Sequence, residues 1–112
     1  MKLYISAELA YMTKHYDYYF DIYDDDGSLI ENYSFDSWVA TRPNDVRNFY
    51  SFSKHWIAWV ADIAGDRIKP DETIEIIDMI QAVSEKTTHN LSLPEFLKSH
   101  TICYQYNDII II

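Results

Sequence analysis

Cysteine occurs once in 112 residues, at Cys103. No internal disulfide framework can form, and a single thiol suits a reducing compartment. Glycine is limited to Gly27 and Gly65, which cannot build a phosphate-cradling loop and imply ordered connections. No apolar run approaches the roughly 18 residues of a membrane span. Met1-Lys2 opens directly on a strand-like pattern, so no signal peptide is expected and the expected location is cytoplasmic. Positive charge is the other deficit: 9 Lys and Arg stand against 18 Asp and Glu, for a net charge of −9. Nucleic-acid affinity comes mainly from neutralising phosphates with basic side chains. Direct binding of DNA or RNA is therefore disfavoured, and a basic partner is favoured.

Catalytic signatures are missing as well. His15, His55, His89 and His100 are scattered, and neither HExxH, HxH nor CxxC occurs, so no metal site of that type is assigned. Cys103 lacks the local signature of an activated thiol and reads as a buried strand residue. No serine lies in a nucleophile-elbow context. Neither catalytic residues nor a cofactor are assigned.

What is present is a core. Hydrophobic residues make up 48% of the chain, with ten Tyr, five Phe and three Trp, which argues against disorder. A chain of this length buries about two-thirds of its unfolded surface, and residues 1–112 are expected to form one compact domain. The stretch His15 to Asp36 organises it. Two runs rich in aromatic and β-branched residues flank Asp24-Asp25-Asp26-Gly27-Ser28, and Asp-Gly between such runs is a strong hairpin signal. The expected register sets Tyr23 opposite Ile30, Phe20 opposite Tyr33 and Asp17 opposite Asp36. Tyr16, Tyr18, Phe20, Ile22, Tyr33 and Phe35 then share one face, while Asp17, Tyr19, Asp21, Asn32, Ser34 and Asp36 share the other. This stretch carries seven carboxylates and no Lys or Arg.

Leu3, Ile5, Ala7, Leu9 and Tyr11 alternate as a first strand over residues 2–12, completing an antiparallel meander to residue 37. A connector follows over Trp38 to Arg42. Asn44 is expected to cap a helix from Asp45 to Ala64, with Val46, Phe49, Tyr50, Phe52, Trp56, Ile57, Trp59, Val60 and Ile63 on its apolar arc and Gly65 as terminator. Trp56 suits the core, and Trp59 is the helix residue assigned to an interface. A second helix is expected from Asp71 to about Lys86 after a linker over 66–70. Thr87 to Leu91 reads as a loop, and Ser92-Leu93-Pro94-Glu95 matches a capping box that opens a third, short helix. Thr101 to Tyr106 alternates as a strand. After Asn107-Asp108, the four isoleucines Ile109 to Ile112 either continue it past a bulge or turn back to pair with it. So apolar a strand is expected at the centre of the sheet or against another chain. The order β-β-β-α-α-α-β predicts an α+β two-layer sandwich, with two to three helices on one face of the sheet.

For function, the aspartate turn fails as a calcium loop. With Gly27 at the sixth position, the first would be Ile22 and the twelfth Tyr33, where carboxylates belong. The meander followed by helices is similar in order to the opening of the RNase H-like fold, so a small metal-dependent nuclease using Asp17, Asp21 and Asp36 is one alternative. A homo-oligomeric structural or regulatory domain, joined through Ile109 to Ile112 or the long helix, is another. The leading expectation is a non-enzymatic interaction protein that docks a basic surface, with Asp17, Tyr19, Asp21, Asp24, Asp25, Asp26, Glu31, Asp36 and Trp59 as the binding set. If that surface normally holds nucleic acid, carboxylates stand in for phosphates and the chain acts as a DNA-mimicking inhibitor. Its small size, acidity, cysteine poverty and richness in Ile, Tyr, Asp and Asn resemble phage and mobile-element accessory proteins, including anti-restriction and anti-CRISPR inhibitors. The resemblance is one of composition across the whole chain.

Overall fold

The computed structural model of the chain describes residues 2–44, 47–87, 92–105 and 108–112. Alternating apolar residues in the first third form the expected meander: β1 (Lys2–Ala10), β2 (His15–Tyr23) and β3 (Leu29–Ser34). β1 stops two residues short of expectation because the chain must reverse before His15, which pairs with Ala10. Tyr11 and Met12 are 86% and 99% exposed in that turn. The Ala10 carbonyl accepts from the amides of Thr13 (3.2 Å) and Lys14 (2.7 Å), and Lys14 takes the left-handed φ of 54° that closes the loop.

Phe20 pairs with Tyr33 as expected, but a bulge between Ile22 and Tyr23 sets Tyr23 opposite Leu29 instead of Ile30. Gly27, at φ 84°, donates to the Asp24 carbonyl at 3.1 Å and completes the turn. β3 also ends early. Ser34 Oγ accepts from the Ser37 amide at 3.2 Å, a serine cap that starts α1 (Phe35–Ala40) with Asp36 in its first turn. The expected cross-strand opposition of Asp17 and Asp36 therefore does not occur, since Asp36 is helical.

The long helix is displaced toward higher numbers. Asn44 does not begin it, and Asp45 and Val46 lie outside the described residues. A single 3₁₀ turn, Arg47–Phe49, leaves Phe49 exposed, and α2 (Phe52–Arg67) begins after Ser51. Gly65 is helical, not a terminator. The helix ends at Ile68, whose amide donates to the Ala64 carbonyl at 2.8 Å. Pro70 disfavours helical geometry at Lys69 and is itself suited to a first helical position. α3 (Pro70–Thr87) therefore follows almost directly, and the expected five-residue linker shrinks to Ile68-Lys69. Of the loop expected over Thr87 to Leu91, Thr87 is instead the last residue of α3, and residues 88–91 lie outside the described residues. Ser92 caps α4 (Leu93–Leu97) through the Glu95 amide, while the Glu95 carboxylate turns to Lys98 Nζ at 2.9 Å instead of completing the capping box.

The chain closes with β4 (Ile102–Gln105) and β5 (Asp108–Ile111), giving the sheet order β3-β2-β1-β4-β5, antiparallel throughout. The isoleucines turn back, as one of the two expectations held, but they form an edge strand and not a central one. β4 already pairs with β1 on its inner side, so a strand returning from β4 can only be added outside. The helices cover one face, where Leu3, Ile5, Phe20 and Ile22 meet Trp56, Val60, Ile76 and Ile80 in a single core.

Trp59 is corrected by the later helix start. The buried stripe of α2 runs through Phe52, Trp56, Trp59, Val60 and Ile63, so Trp59 lies at its middle and is 1% exposed. Its ring stands edge-on to Phe20 (6.3 Å) and Phe35 (5.5 Å). Such aromatic contacts place it at the heart of the core and not at an interface.

Candidate functional site

Helices occupy one side of the sheet, so strand residues of the opposite parity face away from them. Among the described residues of that parity only Cys103 is buried. The strand pairings assemble this uncovered face. Across β1 and β2, Tyr4 lies opposite Asp21, Ser6 opposite Tyr19 and Glu8 opposite Asp17. Across β2 and β3, Tyr19 lies opposite Ser34 and Asp21 opposite Asn32. Glu8, Asp17, Tyr19 and Asp21 thus form one acidic patch, with Tyr4 and Tyr23 beside it, their rings in an edge contact at 5.4 Å. A shallow trough of about 510 Å³ runs past Tyr4, Ser6, Glu8, Asp21, Tyr23 and Gly27.

Asp17 and Asp21 also have local jobs within the fold. Asp17 Oδ1 accepts from the amides of Tyr18 (2.8 Å) and Asp36 (3.0 Å), and Oδ2 accepts from Ser34 Oγ at 2.5 Å. It therefore ties β2 to the start of α1. Asp21 accepts from the side-chain amide of Asn32. Glu8 faces Asp17 directly across the ladder, a like-charge pairing that is unfavourable by a few tenths of a kcal/mol or more. The charges converge on Tyr19. Partial burial raises the Tyr19 phenol above its ordinary pKa, and the charge of Asp17, a hydrogen bond to Asp17, and the charges of Glu8 and Asp36 raise it further. A phenolate is disfavoured there because the surrounding field is already negative. A cation already rests at one end of the face, with Lys2 Nζ 5.8 Å from the centre of the Tyr4 ring.

The other residues expected in the binding set go elsewhere. Asp24 Oδ1 accepts from the amides of Asp26 (3.0 Å) and Ser28 (2.9 Å) and serves to build the turn. Asp25 and Asp26 are exposed at the hairpin tip, beyond the end of the patch. Glu31 lies opposite Ile22, with the parity of the helix side, and bonds Arg67 at 2.6 Å where α2 ends. Asp36 pairs with His15 Nε2 at 2.8 Å. Trp59 is buried. The expected set is thus divided, with Asp17, Tyr19 and Asp21 brought together and the rest directed to other tasks.

Tyr4, Glu8 and Tyr23 join the face without having been singled out by the sequence. Alternation of Leu3, Ile5, Ala7 and Leu9 already put Glu8 on the side away from the core. The pairing of β1 beside β2 makes that side continuous with the aspartates. Among the described residues, no three His, Cys, Asp or Glu side chains are grouped so as to hold a metal ion, and Asp17, Asp21 and Asp36 do not converge. No described helix is long and apolar enough to cross a membrane. A wider cleft of about 640 Å³ lies beyond the His15–Asp36 pair and is lined by both signs of charge, Lys14 and Lys98 against Asp36 and Glu95. No family model, curated protein or solved structure matches this chain.

Proposed function

We propose that the chain is a non-catalytic binding protein whose uncovered sheet face docks a cationic surface of another protein, and that it blocks nucleic acid where that surface normally holds it. One observation carries this reading: Glu8, Asp17 and Asp21 share a helix-free face with Tyr4, Tyr19 and Tyr23. A carboxylate offers about four lone-pair sites; Asp17 commits its own within the chain, so an arriving guanidinium bonds Glu8 and Asp21, and Asp17 adds its charge. Tyrosines supply rigid area and cation–π contact to the same side chains. The like-charge pair Glu8–Asp17 costs stability when the chain is alone, and a cation seated between the two offsets that cost. The net charge of −9 steers basic partners toward the chain in general, and the patch supplies a specific place for them.

The test is capture of nucleic-acid-binding proteins on immobilised chain. Capture should fall steeply between low and moderate salt, be displaced by added duplex DNA, and be lost in Glu8→Lys/Asp21→Lys with the circular dichroism spectrum unchanged. Capture that persists in the double variant, or that duplex DNA leaves in place, contradicts the reading. Asp17 is left out of this pair because its bonds to α1 would confound binding with folding.

A further inference from the structure

The isoleucines of β5 take no part in the acidic face. Thr101 and Ile112 exchange both main-chain hydrogen bonds, Thr101 N to Ile112 O at 3.1 Å and Ile112 N to Thr101 O at 2.9 Å. Such pairs alternate along an antiparallel ladder, and Ile110 lies opposite Cys103 and Asp108 opposite Gln105. The main-chain groups of Ile112, Ile110 and Asp108 therefore turn toward β4, while those of Ile109 and Ile111 turn outward along the open edge. The Ile109 amide is covered, because it donates to Asp108 Oδ1 at 2.9 Å. The Ile111 amide and the carbonyls of Ile109 and Ile111 face outward where no described strand lies. The side chains beside them, Ile110, Ile111 and Ile112, are 46%, 36% and 65% exposed. At the opposite edge, β3 is guarded by the bulge in its pairing and by the Glu31–Arg67 bridge, both of which discourage strand addition.

We propose that β5 pairs with β5 of a second copy of this chain, antiparallel about a two-fold axis at Ile110, joining two five-stranded sheets into one. The strand is complementary to itself in that register. The Ile111 amide of each copy donates to the Ile109 carbonyl of the other, while the Ile109 amides stay on Asp108 Oδ1, and Ile110 meets Ile110 on the uncovered face. Asp108 falls opposite Ile112 and not opposite the second Asp108, which keeps the two aspartates apart. Two copies of charge −9 nevertheless repel at longer range, and salt screens that repulsion while sparing the apolar contact. Association between copies therefore strengthens with salt. That is the reverse of the behaviour expected of the acidic docking face, on which this inference does not depend.

Sedimentation equilibrium from about 10 to about 500 µM chain, a range suited to a small seam, should show the average mass rising from 13.3 kDa toward twice that value, and more so at higher salt. Ile111→Pro removes an amide that points away from β4, so the variant should keep the β4–β5 pairing and self-associate about tenfold more weakly or not at all. In the wild-type chain, hydrogen-exchange protection of the Ile111 amide should grow in step with the dimer fraction. That measurement needs no variant to fold. A chain that stays monomeric at every concentration and salt overturns the proposal. So does Ile111→Pro association equal to wild type, which would point to another surface such as α2, and so does an Ile111 amide whose exchange ignores concentration.

Discussion

Asp17 illustrates how one carboxylate serves both folding and charge. It receives two amides and a hydroxyl, and removing a part-buried acceptor with several donors costs about 2 kcal/mol. Repulsion from Glu8 is worth only a few tenths of a kcal/mol, so the hydrogen bonds win. Asp17→Ala should lower unfolding stability by about 2 kcal/mol in urea, whereas Asp26→Ala, at an exposed tip, should stay within about 0.5 kcal/mol. Tyr18 and Tyr104 make a second residue-scale case. Burial raises both phenols above the ordinary value of 10.0. Their contribution to stability is complete below the unfolded pKa and is lost as pH rises from there through the raised folded values. Tyrosinate absorbance from these two rings should appear together with loss of near-ultraviolet dichroism above about pH 10; ionisation that precedes unfolding would contradict their burial. At this scale the sequence was legible for parity. Tyr18, Phe20 and Ile22 are buried as alternation requires. It was not legible for Asp36, because Ser34 fits a strand position and a helix cap equally well. Only the tertiary bond from Asp17 decides between them.

At the scale of elements, boundaries were the weak point and glycines test them. Gly65 sits inside α2, and a Cβ added there meets nothing within 4 Å. Gly65→Ala should therefore stabilise the fold by about 0.5–1 kcal/mol. A left-handed terminator at that position would give the opposite sign. Gly27 holds φ at 84° in the turn, and Gly27→Ala should destabilise by about 1 kcal/mol. Both shifts can be read from urea midpoints. The existence of the long helix was plain from its apolar spacing, yet its ends were not. Gly65 imitates a terminator, while Ile68, which is buried, and Pro70 set the actual end. The fate of the isoleucines was likewise open, since Asn107-Asp108 suits either a bulge or a reversal. The occupied inner side of β4 leaves only the outer position.

For the molecule as a whole, the acidic face exists because β1 pairs with β2, as the expected meander requires, whereas the place of β4 on the other side of β1 is a choice that residue spacing does not state. The α+β class and the helix-covered sheet follow from the order of periodic segments. The composition of the uncovered face follows from which strands are neighbours, and that is how Glu8 comes beside Asp17. Neighbouring strands turn by about 20–25°. Two copies joined at β5 would thus have their acidic faces turned by roughly 150° over the seven steps between their β2 strands, and such a pair would take two partners instead of clamping one.

Titration of isotope-labelled chain with a hexa-arginine peptide at low salt, followed by backbone amide shifts, tests the docking face most directly. The shifts should concentrate at Tyr4, Ser6, Glu8, Asp17, Tyr19 and Asp21 and collapse when salt is raised. Shifts spread evenly over every acidic segment, or centred on Asp71, Glu72 and Asp78 of α3, would contradict the claim that the uncovered sheet is where positive charge settles.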